Sequence, residues 1–263
     1  MSDSRGRGGN GGRGRPSTSY TNANTGDGEL AGRLGALARV LENEDNLQDT
    51  LDAIVHAAVG TVPGAQHASI STITRGREVS TRAATDELPR AVDHVQYQSA
   101  QGPCLDTLYT QRTLRLADLT CETRWPDFTT RAAELGVGSM LSIQLYVDGE
   151  DLGALNLFSA DTDAFGDESE RVGLLFASHA AVAMAGAQAQ DQLRQAMATR
   201  EVIGQAQVIL MERYQITGNR AFSVLVRISQ QMNRKLREIA EELIYSGELA
   251  GHPADLPLAT ERH

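Results

Sequence analysis

The sequence predicts an α+β domain, an antiparallel sheet with flanking helices, which one long helix joins to an all-α three-helix bundle. Two hairpin-like strand pairs with helical segments around them predict the sheet, because a parallel sheet would need repeated βαβ units. No proline occurs between residues 167 and 213, and this predicts one long helix. Three amphipathic segments at the carboxy-terminal end of this stretch predict the bundle.

The elements of the α+β part follow from periodicity and turn signals. Residues 67–85 predict a hairpin that turns at Arg75-Gly76, and an irregular section with Gln101–Asp106 follows it. A helix beginning at Trp125-Pro126 precedes two strands, SMLSIQLYV and LGALNLFSA, joined by the turn residues Asp148–Asp151. The first helix is predicted from an apolar stripe: Leu47, Leu51, Ile54, Val55 and Ala58.

Composition divides the chain into four segments: a disordered Gly/Arg-rich arm (1–28), the α+β domain (29–190), the three-helix domain (191–249) and a flexible tail (250–263). The net charge is −10, which disfavours nucleic-acid binding by the chain as a whole. The charge is uneven, however, because residues 29–193 carry 11 Arg against 24 acidic residues and residues 194–249 carry 8 basic against 6 acidic residues. A mildly basic module therefore permits contact with a polyanion. The RGRGG piece of the arm is similar to RNA-binding segments, with a solvated tail as the alternative.

Few residues point to catalysis or to a metal site. The six histidines show no metal-binding spacing, and no Gly-x-Ser-x-Gly, GxGxxG or P-loop motif occurs. Cys104 is conceivable as a reactive thiol, but we interpret it as structural because nearby Asp106 would raise its pKa. With only Cys104 and Cys121 there is no disulfide framework. We expect no enzyme and no metal, and a cytoplasmic protein without a membrane span, because the most apolar tract, residues 174–187, is short.

The carboxy-terminal helices have an apolar inner face and a polar outer face. We expect Asn233 to be the N-cap of the third helix and Gly247 to follow its end. Guanidinium and amide groups suit phosphates and splayed bases, whereas a solvated helix face is the alternative. The predicted bundle core is Ala206, Leu210, Ala221, Phe222, Leu225, Leu236 and Ala240. The predicted RNA-binding residues are Arg227, Ser229, Gln230, Asn233, Arg234, Lys235, which is the only lysine, and Arg237.

A heptad-like stripe of the long helix predicts a coiled-coil contact between two copies of the chain. Small residues in the stripe permit close helix pairing, so we predict a parallel homodimer. The alternative is that the stripe packs only on its own domain. The stripe consists of Ala183, Ala187, Gln190, Leu193 and Met197.

Residues 194–249 resemble an ANTAR domain, a three-helix RNA-binding module of bacterial transcription antiterminators. The resemblance rests on IGQAQVILMER and AFSVLVRISQQMNRKLREIAEELIYSGEL. The body before it resembles the GAF domain of actinobacterial regulators through QGPCLDTL, RWPDFTTRAAELGVGSMLSIQL and LGALNLFSA. The resemblance implies a transcription antitermination regulator, in which the GAF domain senses a signal and the ANTAR domain binds paired hairpins in leader RNA. It identifies no ligand, and the cofactor is left unknown.

Three other functions stay open from the residues alone. The bundle could be a protein–protein interaction module that never contacts RNA. It could also be a DNA-binding helix-turn-helix module. A redox enzyme that uses Cys104 is the third alternative.

Overall fold

The computed structural model describes residues 46–249 except 74–77 and 111–112, together with residues 32, 35, 38, 39 and 44. The predicted arm (1–28), the tail (250–263) and the turn at Arg75-Gly76 lie outside the described residues. The chain divides into two compact units, of which the second contains residues 44–51 and 182–263.

The antiparallel sheet that the sequence predicts lies in the first unit and has five strands. The strand order is β2-β1-β5-β4-β3, with helices packed against the sheet. The elements up to the last strand are α1 (Leu47–Thr61), β1 (His67–Ile73), β2 (Val79–Ala84), α2 (Glu87–Ser99), α3 (Pro103–Thr110), β3 (Leu114–Leu116), a 3-10 turn (Leu119–Cys121), α4 (Pro126–Glu134), β4 (Ser139–Val147) and β5 (Glu150–Ser159).

The central strand β5 pairs with β1 on one side and with β4 on the other. Gly153 permits this pairing, because a Cβ there would lie 2.2 Å from the carbonyl oxygen of Ser71 and the backbone φ is +156°. On the β4 side, Met140 is opposite Phe158, and both side chains are fully buried. They pack with Trp125 and Phe128 of the α4 region in one apolar cluster.

Two helices occupy the section that the sequence left irregular. Helix α2 follows Asp86, whose carboxylate accepts a hydrogen bond from the backbone N–H of Leu88. Helix α3 begins at Pro103, where the missing N–H costs nothing because the first turn of a helix has no partner for it. The segment Gln101–Asp106 is therefore mostly helical, which corrects the prediction.

The long helix is confirmed as α5 (Asp167–Tyr214), 48 residues without a break. Among the described residues it alone is long and apolar enough, by composition, to cross a membrane, with a mean hydropathy of 1.4 over 18 residues. This is weak evidence, because the core helix of a soluble protein passes the same test and 39% of that window is buried here.

The helices of the second unit enclose a small apolar core. Helices α6 (Gly218–Met232) and α7 (Leu236–Ser246) follow α5 and pack against its carboxy-terminal part. Thr217 caps α6 by accepting from the backbone N–H of Arg220, and Gly247 ends α7 with a positive φ, as expected. The fully or nearly fully buried residues are Ala206, Leu210, Ala221, Leu225, Ile228, Ile239, Ala240 and Leu243.

Candidate nucleic-acid interface and buried polar cluster

The predicted core of the bundle differs from the structure at one position. Five of the seven predicted residues are fully buried: Ala206, Leu210, Ala221, Leu225 and Ala240. Leu236 is partly buried against them. Phe222 does not belong to the core, because it is 42% exposed. The inward side chains of α6 are Ala221, Leu225 and Ile228, and a residue directly after Ala221 points about 100° away from that face.

The junction of α6 and α7 positions the basic residues. Asn233 is not the N-cap of α7; it ends α6 in the left-handed conformation, with φ of 50°, which asparagine tolerates better than most residues. Its backbone N–H donates to the carbonyl of Gln230, and that of Arg234 donates to the carbonyl of Ser229. Lys235 takes the N-cap position of α7 without a side-chain cap. The tight turn therefore holds Asn233, Arg234 and Lys235 at one corner of the bundle.

The seven predicted RNA-binding residues all lie on or near the surface. Arg227, Gln230, Asn233, Lys235 and Arg237 are at least partly exposed, and Ser229 and Arg234 are partly buried. Ser229 is occupied by a structural contact, because its hydroxyl donates to the carbonyl oxygen of Arg234 at 2.6 Å.

Glutamates of α7 pair with two of these basic residues, which the sequence interpretation missed. Arg234 contacts Glu242 at 2.5 Å and Glu238 at 3.6 Å, and Arg237 contacts Glu241 at 2.7 Å. The Arg237 pair is solvent-exposed and the Arg234–Glu242 pair is partly buried, and ion pairs at a protein surface contribute little stability. Two of these arginine–glutamate pairs have the i,i+4 spacing that marks such pairs in a sequence.

The predicted dimer stripe on α5 divides into two parts. Ala183 and Ala187 are partly buried, whereas Gln190, Leu193 and Met197 are exposed. Leu193 and Met197 are 62% and 64% exposed, which leaves two large apolar side chains in water. The carboxy-terminal part of the stripe is therefore available to a partner.

The first unit contains a buried carboxylate, Asp93 of α2, which sequence reasoning did not identify. Three hydroxyls donate to its Oδ2 atom: Ser69 at 2.7 Å, Ser71 at 3.4 Å and Thr81 at 2.9 Å. The amides of Gln96 and Asn156 donate to Oδ1 at 3.3 and 3.2 Å. We call Asp93 and these five donors the Asp93 cluster. It joins α2 to strands β1, β2 and β5 with neutral donors only.

Burial controls the ionisation of groups in and beside the Asp93 cluster. Burial raises the pKa of Asp93 to about 6, although the hydroxyl and amide donors partly oppose this effect. The pKa of the Cys104 thiol is raised to about 12, first by burial and then by the charge of Asp93. Cys104 lies in α3 and is fully buried, so Asp93, and not Asp106, is the charged neighbour that disfavours the thiolate. These facts support a structural Cys104.

An open cleft of about 770 Å³ adjoins the Asp93 cluster. Its lining includes Thr81 and Tyr97, and the Tyr97 hydroxyl lies 2.7 Å from Ser71 Oγ and 3.0 Å from Thr81 Oγ1. Burial, followed by the charge of Asp93, raises the pKa of Tyr97 and keeps it neutral. Charged groups of both signs, among them Arg90 and Asp106, also line the cleft. Within the described part of the chain, no three His, Cys, Asp or Glu side chains form a group that could hold a metal ion.

Comparisons with known families match both parts of the chain. Residues 44–185 match the GAF domain and residues 191–244 match the ANTAR domain. A search of curated proteins found no match.

Solved structures share the fold of the first unit at low sequence identity. The GAF domain of an Acinetobacter phosphoenolpyruvate-protein phosphotransferase is 16% identical with a TM-score of 0.50, and the match covers 62% of this chain and 98% of that one. The wild-type phytochrome photosensory core module of Stigmatella aurantiaca is 15% identical with a TM-score of 0.53, over 80% of this chain and 46% of that one. At these identities the likeness extends to the fold alone.

Proposed function

The chain belongs to the GAF domain family and carries an ANTAR domain, and from this premise we propose that it is a signal-regulated transcription antitermination protein that binds hairpins in leader RNA. Both matched domains are regulatory, so we propose no catalytic activity. The observation that carries the proposal is the ANTAR match over a bundle whose surface presents Arg227, Lys235 and Arg237. A bound hairpin disfavours the competing terminator, and transcription continues.

The RNA-binding proposal is tested with a pool of tandem RNA stem-loops whose loops are randomised. The full-length wild type should select RNA from the pool, and its affinity should fall steeply with salt. Replacing Arg234, Lys235 and Arg237 with Ala should weaken binding and flatten the salt slope by roughly 0.7 to 0.9 for each phosphate that the variant no longer neutralises. The matched control replaces three exposed arginines of the first unit outside the cleft lining, Arg82, Arg115 and Arg131, which removes the same charge far along the sequence from the ANTAR domain.

Three outcomes would contradict this proposal. Selection of no RNA by the wild type would favour a protein–protein interaction module. Equal competition by duplex DNA would favour a DNA-binding regulator. Equally weakened binding in the test variant and in the control would show that total charge, and not the α6–α7 corner, governs binding.

We further propose that two copies associate through α5, so that two bundles bind the paired hairpins. The exposed Leu193 and Met197 support this contact, because they lie one helical turn apart and both would leave water when two copies pair along α5. Leu193→Asp should dissociate the dimer and weaken binding to tandem hairpins more than binding to a single hairpin, because avidity is lost. Ala198→Asp is the control, since Ala198 is exposed but lies about 140° around the helix from Leu193. Sedimentation of a monomeric wild type at micromolar concentration would end the proposal.

The sensor function is proposed for the cleft beside the Asp93 cluster. A small molecule held there would contact Thr81 and Tyr97, and through them the Asp93 cluster. We propose a cytoplasmic location because the RNA target is a nascent transcript. Cell fractionation tests this directly, and recovery of the protein in the membrane fraction after a high-salt wash would indicate that α5 crosses or enters a bilayer.

A further inference from the structure

The position of Phe222 on the outside of the bundle is the starting observation. Ala221, Leu225 and Ile228 fill the inner face of α6, and the larger aromatic side chain beside Ala221 is left 42% exposed. An exposed ring forfeits the hydrophobic stabilisation that burial would provide. Aromatic rings displayed beside polar groups are the usual platforms on which proteins stack unpaired bases.

A groove in the second unit places polar groups beside this ring. Its volume is about 660 Å³, which is in the range of small-molecule pockets. Phe222 lines it from α6, and α5 contributes the apolar Ala196 and Ile203 together with the polar Thr199 and Arg200. We call this the Phe222 groove. A flat apolar wall with hydrogen-bonding groups at its edge matches the two surfaces of a nucleobase, its face and its edge.

The charge of the groove favours an anionic partner. Arg200 is the only charged residue in its lining, and no carboxylate lines it among the described residues. The other strongly exposed aromatic residue of this unit, Tyr245, is 96% exposed but lies on α7 near Glu241, Glu242 and Glu248 in the sequence. Carboxylates repel a phosphate backbone, so exposure alone does not make Tyr245 an equivalent platform.

We propose that the Phe222 groove binds one unpaired RNA base, which stacks on the Phe222 ring while Arg200 contacts a flanking phosphate. This rests on the proposed RNA-binding function and adds a base-recognition subsite to it. The α6–α7 corner supplies phosphate contacts, which carry little sequence information, whereas a base held in the groove would give the protein a preference for loop nucleotides.

The experiment compares Phe222→Leu with Tyr245→Leu in the full-length chain, using the RNA that the wild type selects from the randomised stem-loop pool. Phe222→Leu should bind this RNA about tenfold more weakly with an unchanged salt slope, because stacking is not electrostatic. Tyr245→Leu removes an exposed ring outside the groove and should bind as the wild type does. Arg200→Gln should weaken binding and flatten the salt slope by roughly 0.7 to 0.9. 2-Aminopurine placed at the stacked loop position should lose fluorescence on binding to the wild type, but not on binding to Phe222→Leu.

The outcomes separate this inference from the proposed function. If Phe222→Leu binds the selected RNA as tightly as the wild type, the base site in the Phe222 groove is overturned while RNA binding stands. The same follows if the wild type leaves the 2-aminopurine fluorescence unchanged at every loop position. Selection of no RNA by the wild type would overturn both. If Phe222→Leu sediments as a smaller species than the wild type, and the other variants do not, the ring contacts a second copy of the chain. That result would overturn the base site. If Phe222→Leu lowers the melting temperature, its weaker binding could reflect partial unfolding. The RNA affinity of Arg200→Gln and the 2-aminopurine fluorescence with the wild type then test the base site.

Discussion

The two units of the chain place their polar groups in opposite ways. The first unit buries a carboxylate together with hydroxyls and amides, whereas the buried cluster of the three-helix bundle consists of apolar residues and the basic groups of the bundle lie outside it. Buried polar groups contribute stability only when their partners are complete, so the first unit is sensitive to any event that changes one member. The apolar cluster of the bundle has no such partners to lose. This difference fits the proposed division of the chain into a sensor and an RNA-binding module.

The largest expected effect comes from Asp93→Ala, which removes the common acceptor of five donors. Unsatisfied buried donors are costly, and we expect the free energy of unfolding of the first unit to fall by about 3 to 4 kcal/mol. Trp125, the only tryptophan of the chain, is buried in this unit, so its fluorescence during urea unfolding reports on the first unit specifically. Asp106→Ala, an exposed carboxylate, is the control. A change below about 1 kcal/mol for Asp93→Ala would contradict the importance of the cluster.

Leu210→Ala is the corresponding test in the bundle, because Leu210 is fully buried in its core. The cavity should lower the stability of the second unit by about 2 to 3 kcal/mol. Part of the helical circular dichroism signal should therefore be lost at a lower urea concentration than in the wild type. The urea midpoint of the Trp125 fluorescence change should stay the same. Val208→Ala, an exposed apolar position on the same helix, should change neither transition. Coincident shifts of both signals would show that the units unfold as one.

The Asp93 cluster predicts an unusual dependence of stability on pH. The pKa of Asp93 is about 6 in the folded state and near 3.8 in the unfolded chain, so the folded state holds its proton longer. The contribution of Asp93 to the free energy of unfolding is therefore greatest below about pH 4. It falls by about 2 to 3 kcal/mol as the pH rises through 6. Most carboxylates act in the opposite direction; Arg124, for example, holds the pKa of Glu122 near 2. The stability difference between the wild type and Asp93→Asn isolates the effect, and a difference that is constant from pH 4 to 7 would refute it.

The smallest expected effect is that of Arg237→Ala on stability. Its ion pair with Glu241 is exposed, and such pairs contribute no more than about 0.5 kcal/mol. Thermal unfolding followed by circular dichroism should hardly change, although RNA binding should weaken. A drop of several degrees in the melting temperature would mean that the basic corner holds the bundle together as well.

The sheet, the long helix and the bundle could be predicted because their apolar periods are regular, but α2 could not. Its inner face carries Asp93 and Gln96 beside Val92 and Val95, so polar residues interrupt the stripe that identifies a helix. Helix α3 was hidden by Pro103, which signals a break inside a helix but is favourable at its first turn.

Among candidate site residues, the sequence is informative about local pairs and silent about distant ones. The spacing of Arg237 and Glu241 indicates their ion pair. Phe222 was expected in the core, although its position directly after the inward Ala221 already indicates an outward ring. Asp93, by contrast, is separated from Ser69 by 24 residues and from Asn156 by 63. These residues meet only in the folded sheet, so no local sequence pattern predicts their contact.

The two thiols of the chain differ so strongly in environment that they make a natural chemical probe. Cys121 is exposed and Cys104 is fully buried, with a pKa near 12. An alkylating reagent at neutral pH therefore labels one thiol per chain at once and the second only when the sheet opens around α3. The mass increase of the second label, followed over time, measures how often the first unit opens around Cys104.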